Sequence, residues 1–181
     1  KMVSDVEGIK RILYTSPHPK DYPTKLFKIM AERDNICKQL HMPLQAGNNR
    51  VLEKMNRTYT KEEFISLINI AREYMPDVTI TTDIIVGFPT ETDSEFEDTL
   101  KVVKEVEFDS AYIFKYSERP NTLAAKRFKD DVSEATKTKR IIHLNEIQSQ
   151  ISLSKNSALI GTTQTILIEQ NTTKKEPDVI I

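Results

Sequence analysis

Short β-branched stretches alternate along this chain with longer segments of helical periodicity. The clearest stretch is Val78–Val86, which ends at Gly87-Phe88-Pro89. A helical pattern follows it, with apolar residues at Phe96, Leu100, Val103 and Val106. Strands that alternate with helices in this way form βα units, in which the strands lie parallel in one sheet. The pattern therefore predicts an α/β fold.

The same alternation extends over most of the chain. Further strands are predicted at Ile9–Tyr14, Lys38–Met42 and Ala111–Tyr116, and further helices at Tyr22–Arg33, Asn49–Asn56, behind Thr60 and from Ser133 to Asn156. Thr60 and Glu63 have the spacing of a capping box, and Asp93 or Ser94 is expected to cap the helix after Val78–Val86. We expect four parallel strands in chain order, helices on the outer face, and an open sheet edge through which the chain can self-associate.

The bulk composition narrows the classes of protein. The 181 residues carry a formal net charge of −1, so no overall field attracts nucleic acid, although a local basic patch stays open. No apolar run is long enough for a membrane span. Cys37 is the one cysteine, and a single thiol makes neither an internal disulfide nor a multi-cysteine metal site. The opening residues lack the apolar stretch of a secretion signal, so the expected compartment is a reducing cytoplasm.

Polar and charged residues cluster where the predicted strands end. In parallel α/β sheets and barrels, ligands bind at the carboxyl ends of the strands. The residues at or just beyond those ends are His18, His41, Gln45, Asp83, Glu91 and Arg119. Side chains of these types bind ribose hydroxyls, amines and carboxylates by directed hydrogen bonds. The sequence therefore predicts a polar ligand site at the strand ends, although these residues alone do not name a substrate.

Several of these candidates also have structural explanations. His18 suits an exposed loop, His41 a hydrogen-bonded core position, and Glu91 the N-terminus of the following helix. Asp83 is harder to explain in this way, because a charged residue in a buried parallel strand must be paired or functional. Strand alternation places Asp83 on one face with Ile85, opposite the residues that pack under the helices. We therefore expect the Asp83 carboxylate to face the site, where it can accept hydrogen bonds from a ligand amino group or from a neighbouring cation such as Arg119.

Five segments resemble, in order and in spacing, the motifs of the MiaB-like tRNA methylthiotransferases, which are radical-SAM enzymes. The segments are Thr15–Pro19, His41–Gly47, Val51–Arg57, Thr82–Thr92 and Tyr116–Thr122. The sequence departs from the family pattern at Thr90 and Asn121, where the family has glycine. Asparagine tolerates the left-handed backbone that glycine normally supplies, so the second change is easily accommodated. The resemblance covers nearly the whole chain.

The resemblance implies a partial (β/α) barrel whose mouth holds S-adenosylmethionine and a [4Fe-4S] cluster, with tRNA as the partner. It implies transfer of a methylthio group to C2 of a modified adenosine near the tRNA anticodon. By resemblance, Gln45, Asp83 and Arg119 contact the cofactor or the substrate, and Gly87 and Pro89 shape the floor after the third strand. No residue is identified as catalytic. Three cysteines in a C-x-x-x-C-x-x-C loop normally bind the cluster, and this sequence has no such loop, so the chain alone is expected to be inactive.

The resemblance also suggests how the chain divides. Residues 1–160 correspond to the C-terminal half of the radical-SAM barrel, and Gly161–Glu169 resembles the first strand of a TRAM domain, a small RNA-binding β-barrel. The segment 161–181 is therefore expected to begin an incomplete TRAM domain in a truncated chain. Within the family, a ribosomal-protein aspartate methylthiotransferase or an enzyme for threonylcarbamoyl-adenosine remains open. A non-catalytic binding module that kept half of the barrel is the alternative from another class.

Overall fold

The computed structural model describes residues 2–14 and 18–166. The strands of this part are β1 (Gln39–His41), β2 (Thr79–Val86) and β3 (Ser110–Lys115). The α-helices are α1 (Thr24–Glu32), α2 (Asn49–Lys54), α3 (Lys61–Tyr74), α4 (Asp93–Val106), α5 (Leu123–Arg127) and α6 (Glu134–Ser157). Short 3₁₀ turns occupy Val3–Asp5 and Pro19–Asp21. Among these residues, no helix is both long enough and apolar enough to cross a membrane.

The sheet of the described residues has three parallel strands in the order β1-β2-β3. This confirms the predicted α/β fold with parallel strands in chain order, but the expected four strands were one too many. The predicted first strand contributes only a parallel bridge between Ile12 and Ile36, with the Ile12 amide donating to the Asn35 carbonyl at 2.7 Å. A turn at Asp34 and Asn35 immediately precedes Ile36, and the Cys37 amide donates to the Ile12 carbonyl at 3.0 Å, so the pairing is confined to this one bridge.

Strand β2 alternates between a buried face and a partly exposed face. Ile80, Thr82, Ile84 and Val86 are buried, whereas the residues between them are half-buried. The buried face packs beneath the helices with apolar side chains from α3, α4 and α6, among them Phe64, Ile68, Leu100, Val103 and Leu144. The predicted alternation is therefore confirmed, because side chains along a strand point to opposite faces with a period of two residues. Asp83 lies on the opposite, partly exposed face, together with Ile85.

Helix starts follow local capping chemistry. The predicted capping box at Thr60 and Glu63 is present at the start of α3. The expected cap of α4 at Asp93 or Ser94 was wrong, since Thr92 is the N-cap and forms a second capping box with Glu95. Thr92 has an extended backbone, and its hydroxyl accepts from the Glu95 amide at 3.3 Å, while Glu95 accepts from the Thr92 amide at 2.8 Å. Both donors at the helix start are thereby satisfied.

The long last helix agrees with the sequence in its bounds and differs in its buried stripe. Ser133 caps α6, as the predicted start at that residue requires. Leu153, expected in the apolar stripe, is exposed, whereas Lys137, Arg140 and Gln148 are buried. The stripe therefore contains polar side chains, and their partners lie mainly in the loops and at helix starts. Beyond α6, residues 162–166 contain no strand, and the remainder of the proposed TRAM segment lies outside the described residues.

Candidate functional site

A cavity of about 590 Å³ opens at the carboxyl ends of β2 and β3. Ile85 and Phe114 supply its sheet wall, Phe88 follows β2, and Tyr116 follows β3. The other lining residues come from the end of α2 and from the loop into α5: Gln45, Lys54, Met55, Asn56, Arg57, Lys115, Ser117, Arg119, Thr122, Leu123 and Ala124. The cavity therefore combines apolar and aromatic surface with polar and cationic side chains, as small-molecule sites do.

Gln45 is held at this cavity by its backbone. Its amide donates to the Asp83 carbonyl at 2.8 Å, and its carbonyl accepts from the Ile85 amide at 2.9 Å, so the residue continues the β1–β2 pairing beyond β1. Its φ of 68° then turns the chain sharply. At Gly47 an added Cβ would lie 2.5 Å from the Thr99 Cα, so only glycine fits this turn. The backbone of Gln45 is thus fixed at the cavity wall.

Asp83 lies on the same sheet face as Ile85 and is partly exposed. Its carboxylate is 3.2 Å from His41 Nε2, and His41 Nδ1 is 2.9 Å from the Thr81 hydroxyl. The ring of His41 also meets Tyr112 edge-on, with the ring centroids 6.1 Å apart. The three polar side chains therefore form one hydrogen-bonded row on the open face. Among the described residues, Asp83 makes no ion pair with Arg119, which the sequence suggested as its neighbouring cation.

The structure brings two of the five expected site residues into one cavity. Gln45 and Arg119 both line it, whereas Asp83 precedes the lining residue Ile85 on the same face. Gly87 and Pro89 are buried on either side of the lining residue Phe88. Gly87 has a φ of 72°, and an added Cβ would lie 2.4 Å from Lys137 Cγ. Contact of these five residues with a cofactor stays a prediction.

The two departures from the family's glycines have the backbone that glycine supplies. Thr90 and Asn121 both have a φ of 69°. For a β-branched residue this conformation is strained. Thr90 is nonetheless held on several sides, because its amide donates to Asp131 at 2.6 Å and its carbonyl accepts from Arg50 at 2.7 Å. The surrounding contacts therefore impose the left-handed turn on a residue that disfavours it.

A buried ion-pair network under the loop after β2 was not predicted. Glu91 accepts from the Gly87 amide at 2.6 Å and from Arg140 at 2.8 Å, and Arg140 also donates to Asp93 at 2.7 Å. The side chains of Arg140 and Glu91 are only 6% and 1% exposed. Burial raises the pKa of the Glu91 carboxyl, and the Gly87 amide and Arg140 oppose that shift. Glu91 is thus a structural anchor in addition to standing near a helix start.

Lys137 is the second buried cation of α6 that sequence reasoning missed. Its ammonium contacts Asp130 at 2.5 Å and Glu134 at 3.2 Å, and it lies 5.5 Å from the centroid of the Tyr116 ring. Lys137 and Arg140 are three residues apart and share the buried face with Leu144. That spacing was a usable signal, because charged residues on a helix's buried stripe need partners.

Comparison with known proteins identifies relatives of this chain. The model of the Radical SAM superfamily matches residues 1–103. The tRNA-2-methylthio-N(6)-dimethylallyladenosine synthase of Pelotomaculum thermopropionicum is 46% identical over 167 residues, which are 92% of this chain and 37% of that protein. The synthase of the same name from Moorella thermoacetica is 44% identical over 176 residues, which are 97% of this chain and 39% of that protein. The chain thus spans little more than a third of these relatives.

A solved structure supports the same relationship at the level of the fold. Coproporphyrinogen III oxidase (HemN) from Escherichia coli, described as a radical SAM enzyme, superposes with a TM-score of 0.62 and 26% sequence identity. The alignment covers 75% of this chain and 31% of that chain. The sequence matches confirm the resemblance to tRNA methylthiotransferases that the five motifs indicated.

Proposed function

The chain belongs to the radical SAM superfamily, and from that premise we propose that it works within a tRNA methylthiotransferase. The proposed reaction adds a methylthio group to C2 of N6-dimethylallyladenosine near the anticodon. The identity of 44–46% to synthases of that name, over more than nine-tenths of this chain, is the observation that carries the proposal. The same names favour this nucleoside over threonylcarbamoyl-adenosine and over a ribosomal-protein aspartate.

The cavity at the strand ends fits S-adenosylmethionine. Its volume of about 590 Å³ lies in the range of small-molecule sites. Phe88 and Phe114 offer aromatic surface for a flat base, and the Gln45 amide and Arg119 guanidinium can bind amine and carboxylate groups. The Tyr116 hydroxyl is buried without a hydrogen-bond partner among the described residues. When bound, S-adenosylmethionine supplies the radical and methyl chemistry, and these residues orient it and exclude water.

The [4Fe-4S] cluster does not fit the residues of this chain. Such a cluster needs several thiolates, and the sequence has Cys37 alone. Within residues 2–14 and 18–166, no three His, Cys, Asp or Glu side chains are grouped to hold a metal ion. We therefore derive no step through the cluster and expect its ligands from outside these 181 residues. After reconstitution with iron and sulfide, the chain should not show the visible absorption of a stoichiometric [4Fe-4S] cluster.

A chimera tests the proposed reaction. The segment of the Moorella thermoacetica synthase that matches this chain is replaced by this chain, so that the host supplies everything else. With S-adenosylmethionine, a reductant and tRNA carrying N6-dimethylallyladenosine, mass spectrometry of the digested tRNA should detect the 2-methylthio nucleoside. The parent synthase is the positive control. Parallel reactions use tRNA with threonylcarbamoyl-adenosine and a ribosomal protein with its target aspartate.

Two results would contradict the proposal. A chimera that melts cooperatively and contains as much iron as the parent, yet modifies no tRNA, would refute the proposed reaction. Product on the ribosomal protein alone would show that the chain belongs to an enzyme that modifies the ribosomal-protein aspartate.

The proposal also includes self-association of the chain through the outer edge of β3, which in the described residues pairs only with β2. Sedimentation velocity should then show a concentration-dependent dimer, which a proline at Ile113 abolishes.

A further inference from the structure

Charge is unevenly distributed at the cavity. The whole chain is almost balanced, with 26 lysines and arginines against 27 acidic residues. The cavity lining nevertheless contains four cationic side chains and no carboxylate: Lys54, Arg57, Lys115 and Arg119. Cationic side chains grouped without acidic neighbours create a positive local potential, which attracts anions even on a protein of neutral net charge.

Structural roles account for only part of this group. Lys115 pairs with Glu134 at 3.0 Å. Lys54 donates to the Thr90 hydroxyl at 2.6 Å and lies 5.1 Å from the centroid of the Phe128 ring, but it has no acidic partner among the described residues. Arg57 is the least explained of the four. In the described part of the chain its Nε is buried without a hydrogen-bond partner, which is costly unless a ligand supplies one.

The backbone fixes Arg57 at the rim. Helix α2 ends in a Schellman motif: the Asn56 amide donates to the Glu53 carbonyl and the Arg57 amide to the Leu52 carbonyl, both at 2.9 Å. Asn56 has the left-handed φ of 57° that this motif requires. A cation at a helix C-terminus interacts favourably with the helix dipole, but the motif satisfies the helix carbonyls without the Arg57 side chain. The guanidinium therefore remains available for a ligand.

A second, smaller cavity adjoins the first, and its lining adds two arginines, Arg50 and Arg127, and one carboxylate, Glu53. Its volume is about 280 Å³, and it shares Lys54, Asn56 and Leu123 with the first. Arg127 lines it, is exposed, and has no ion-pair partner among the described residues. The two cavities form a continuous groove between α2 and α5. Its cationic floor, which we call the basic groove, consists of Arg57, Lys54 and Arg127.

We propose that the basic groove binds the phosphates of a single-stranded RNA segment on either side of a base that enters the larger cavity. The inference rests on the proposed function, in which the reacting base belongs to tRNA. Proteins recognise single-stranded RNA by stacking splayed bases on aromatic side chains while a positive groove follows the backbone. Phe88 and Phe114 provide the aromatic surface in the larger cavity, and the basic groove continues from it.

The salt dependence of RNA binding tests this inference on the 181-residue chain itself. The probe is a fluorescently labelled anticodon stem-loop RNA, measured by anisotropy at several salt concentrations. Each phosphate contact to a single strand contributes about 0.7 to the slope of log K against log salt, so Arg57→Gln/Arg127→Gln should reduce that slope by about 1.4. The matched control is Lys101→Gln/Lys104→Gln, which removes the same charge from exposed positions on α4 and should leave the slope unchanged.

Titration with S-adenosylmethionine separates this inference from the proposed function. Arg127 does not line the larger cavity, so Arg127→Gln alone should bind S-adenosylmethionine as the wild type does, and its melting temperature should be unchanged. Weaker binding of S-adenosylmethionine with an unchanged RNA slope would assign the arginines to the cofactor carboxylate and overturn the inference. An equal loss of slope in the α4 control, or no RNA binding by the wild type, would also overturn it. If the chimera fails to modify tRNA but the double variant still reduces the slope, the proposed reaction would be refuted and RNA binding by the basic groove would still be supported.

Discussion

The two sides of the sheet differ in how completely their charges are paired. On the helix side, the buried cations Arg140 and Lys137 both contact carboxylates. On the open side, Arg57 and Arg127 lack such partners among the described residues, and Tyr112 and Phe114 are 59% and 53% exposed. Buried charges must be paired to be tolerated, whereas a binding surface has unpaired groups that can interact with a ligand. The helix side therefore holds the loops in place, and the open side is available for recognition.

The largest loss of stability is expected when the buried ion pair on the helix side is disrupted. Arg140→Ala leaves Glu91 buried without its cation, which should lower the free energy of unfolding by about 3–5 kcal/mol. Urea unfolding followed by circular dichroism measures it. The matched control is Glu91→Gln/Arg140→Met, which removes both charges and should cost less than the single change. A loss below about 1 kcal/mol in Arg140→Ala would show that the pair is not a structural anchor.

Gly87→Ala should disturb the same layer by crowding. The new Cβ would lie 2.4 Å from Lys137 Cγ at a φ of 72°, so we expect a loss of about 2 kcal/mol from clash and backbone strain together. Gly161→Ala is the control, because its φ is 83° but no atom lies within 4 Å of the added Cβ. The difference between the two unfolding free energies isolates the contact with Lys137. Equal losses would mean that the contact is easily relieved.

The pair of Glu95 with Arg50 predicts a dependence of stability on pH. Arg50 holds the pKa of the Glu95 carboxyl at about 2, below its ordinary value of 4.5. Because the folded state binds this proton less tightly than the unfolded state, the pair's contribution is complete above pH 4.5 and is lost as pH falls towards 2. Arg50 is partly exposed, so the contribution is about 1 kcal/mol. Glu95→Gln should flatten this part of the stability profile, and an unchanged slope would exclude the assignment.

The smallest effect on stability is expected on the open face. Asp83→Asn keeps the shape of a side chain that is 29% exposed, so the free energy of unfolding should change by less than about 1 kcal/mol. We expect weaker binding of S-adenosylmethionine, measured by isothermal titration, because the negative charge is lost. His41→Gln is the companion variant, since His41 is the group hydrogen-bonded to Asp83. Unchanged affinity together with a lower melting temperature would make Asp83 a structural residue.

The sequence predicted best what is determined locally. The alternation in Val78–Val86 and the capping box at Thr60 depend on near neighbours, and both are confirmed. The first strand failed because its pairing depends on a turn at Asp34 and Asn35, more than twenty residues away. The partner of Asp83 was also misjudged, since a row across two strands brings His41, not Arg119, to its carboxylate.

The site was harder to predict because it combines distant segments. Gln45 and Arg119 were predicted from their positions at the strand ends and from motif resemblance, and the structure places both at one cavity. Arg57 and Arg127 belong to that surface only because the end of α2 meets the start of α5. Lys137 and Arg140 were overlooked because charged residues in a helix usually face solvent. Their spacing places them on the buried stripe of α6, but their main carboxylate partners, Asp130 and Glu91, lie in loops outside the helix.

The contact between Gly87 and Lys137 also limits the order in which mutations can accumulate. The methylene chain of Lys137 fills the space that any side chain at position 87 would need. A larger residue at 87 is therefore accessible only after position 137 has shortened, whereas shortening position 137 makes no demand on position 87. Among related sequences, a non-glycine residue at 87 should accordingly occur together with a small residue at 137. In evolutionary history, a substitution at 137 should therefore precede one at 87, an order that neither position shows alone.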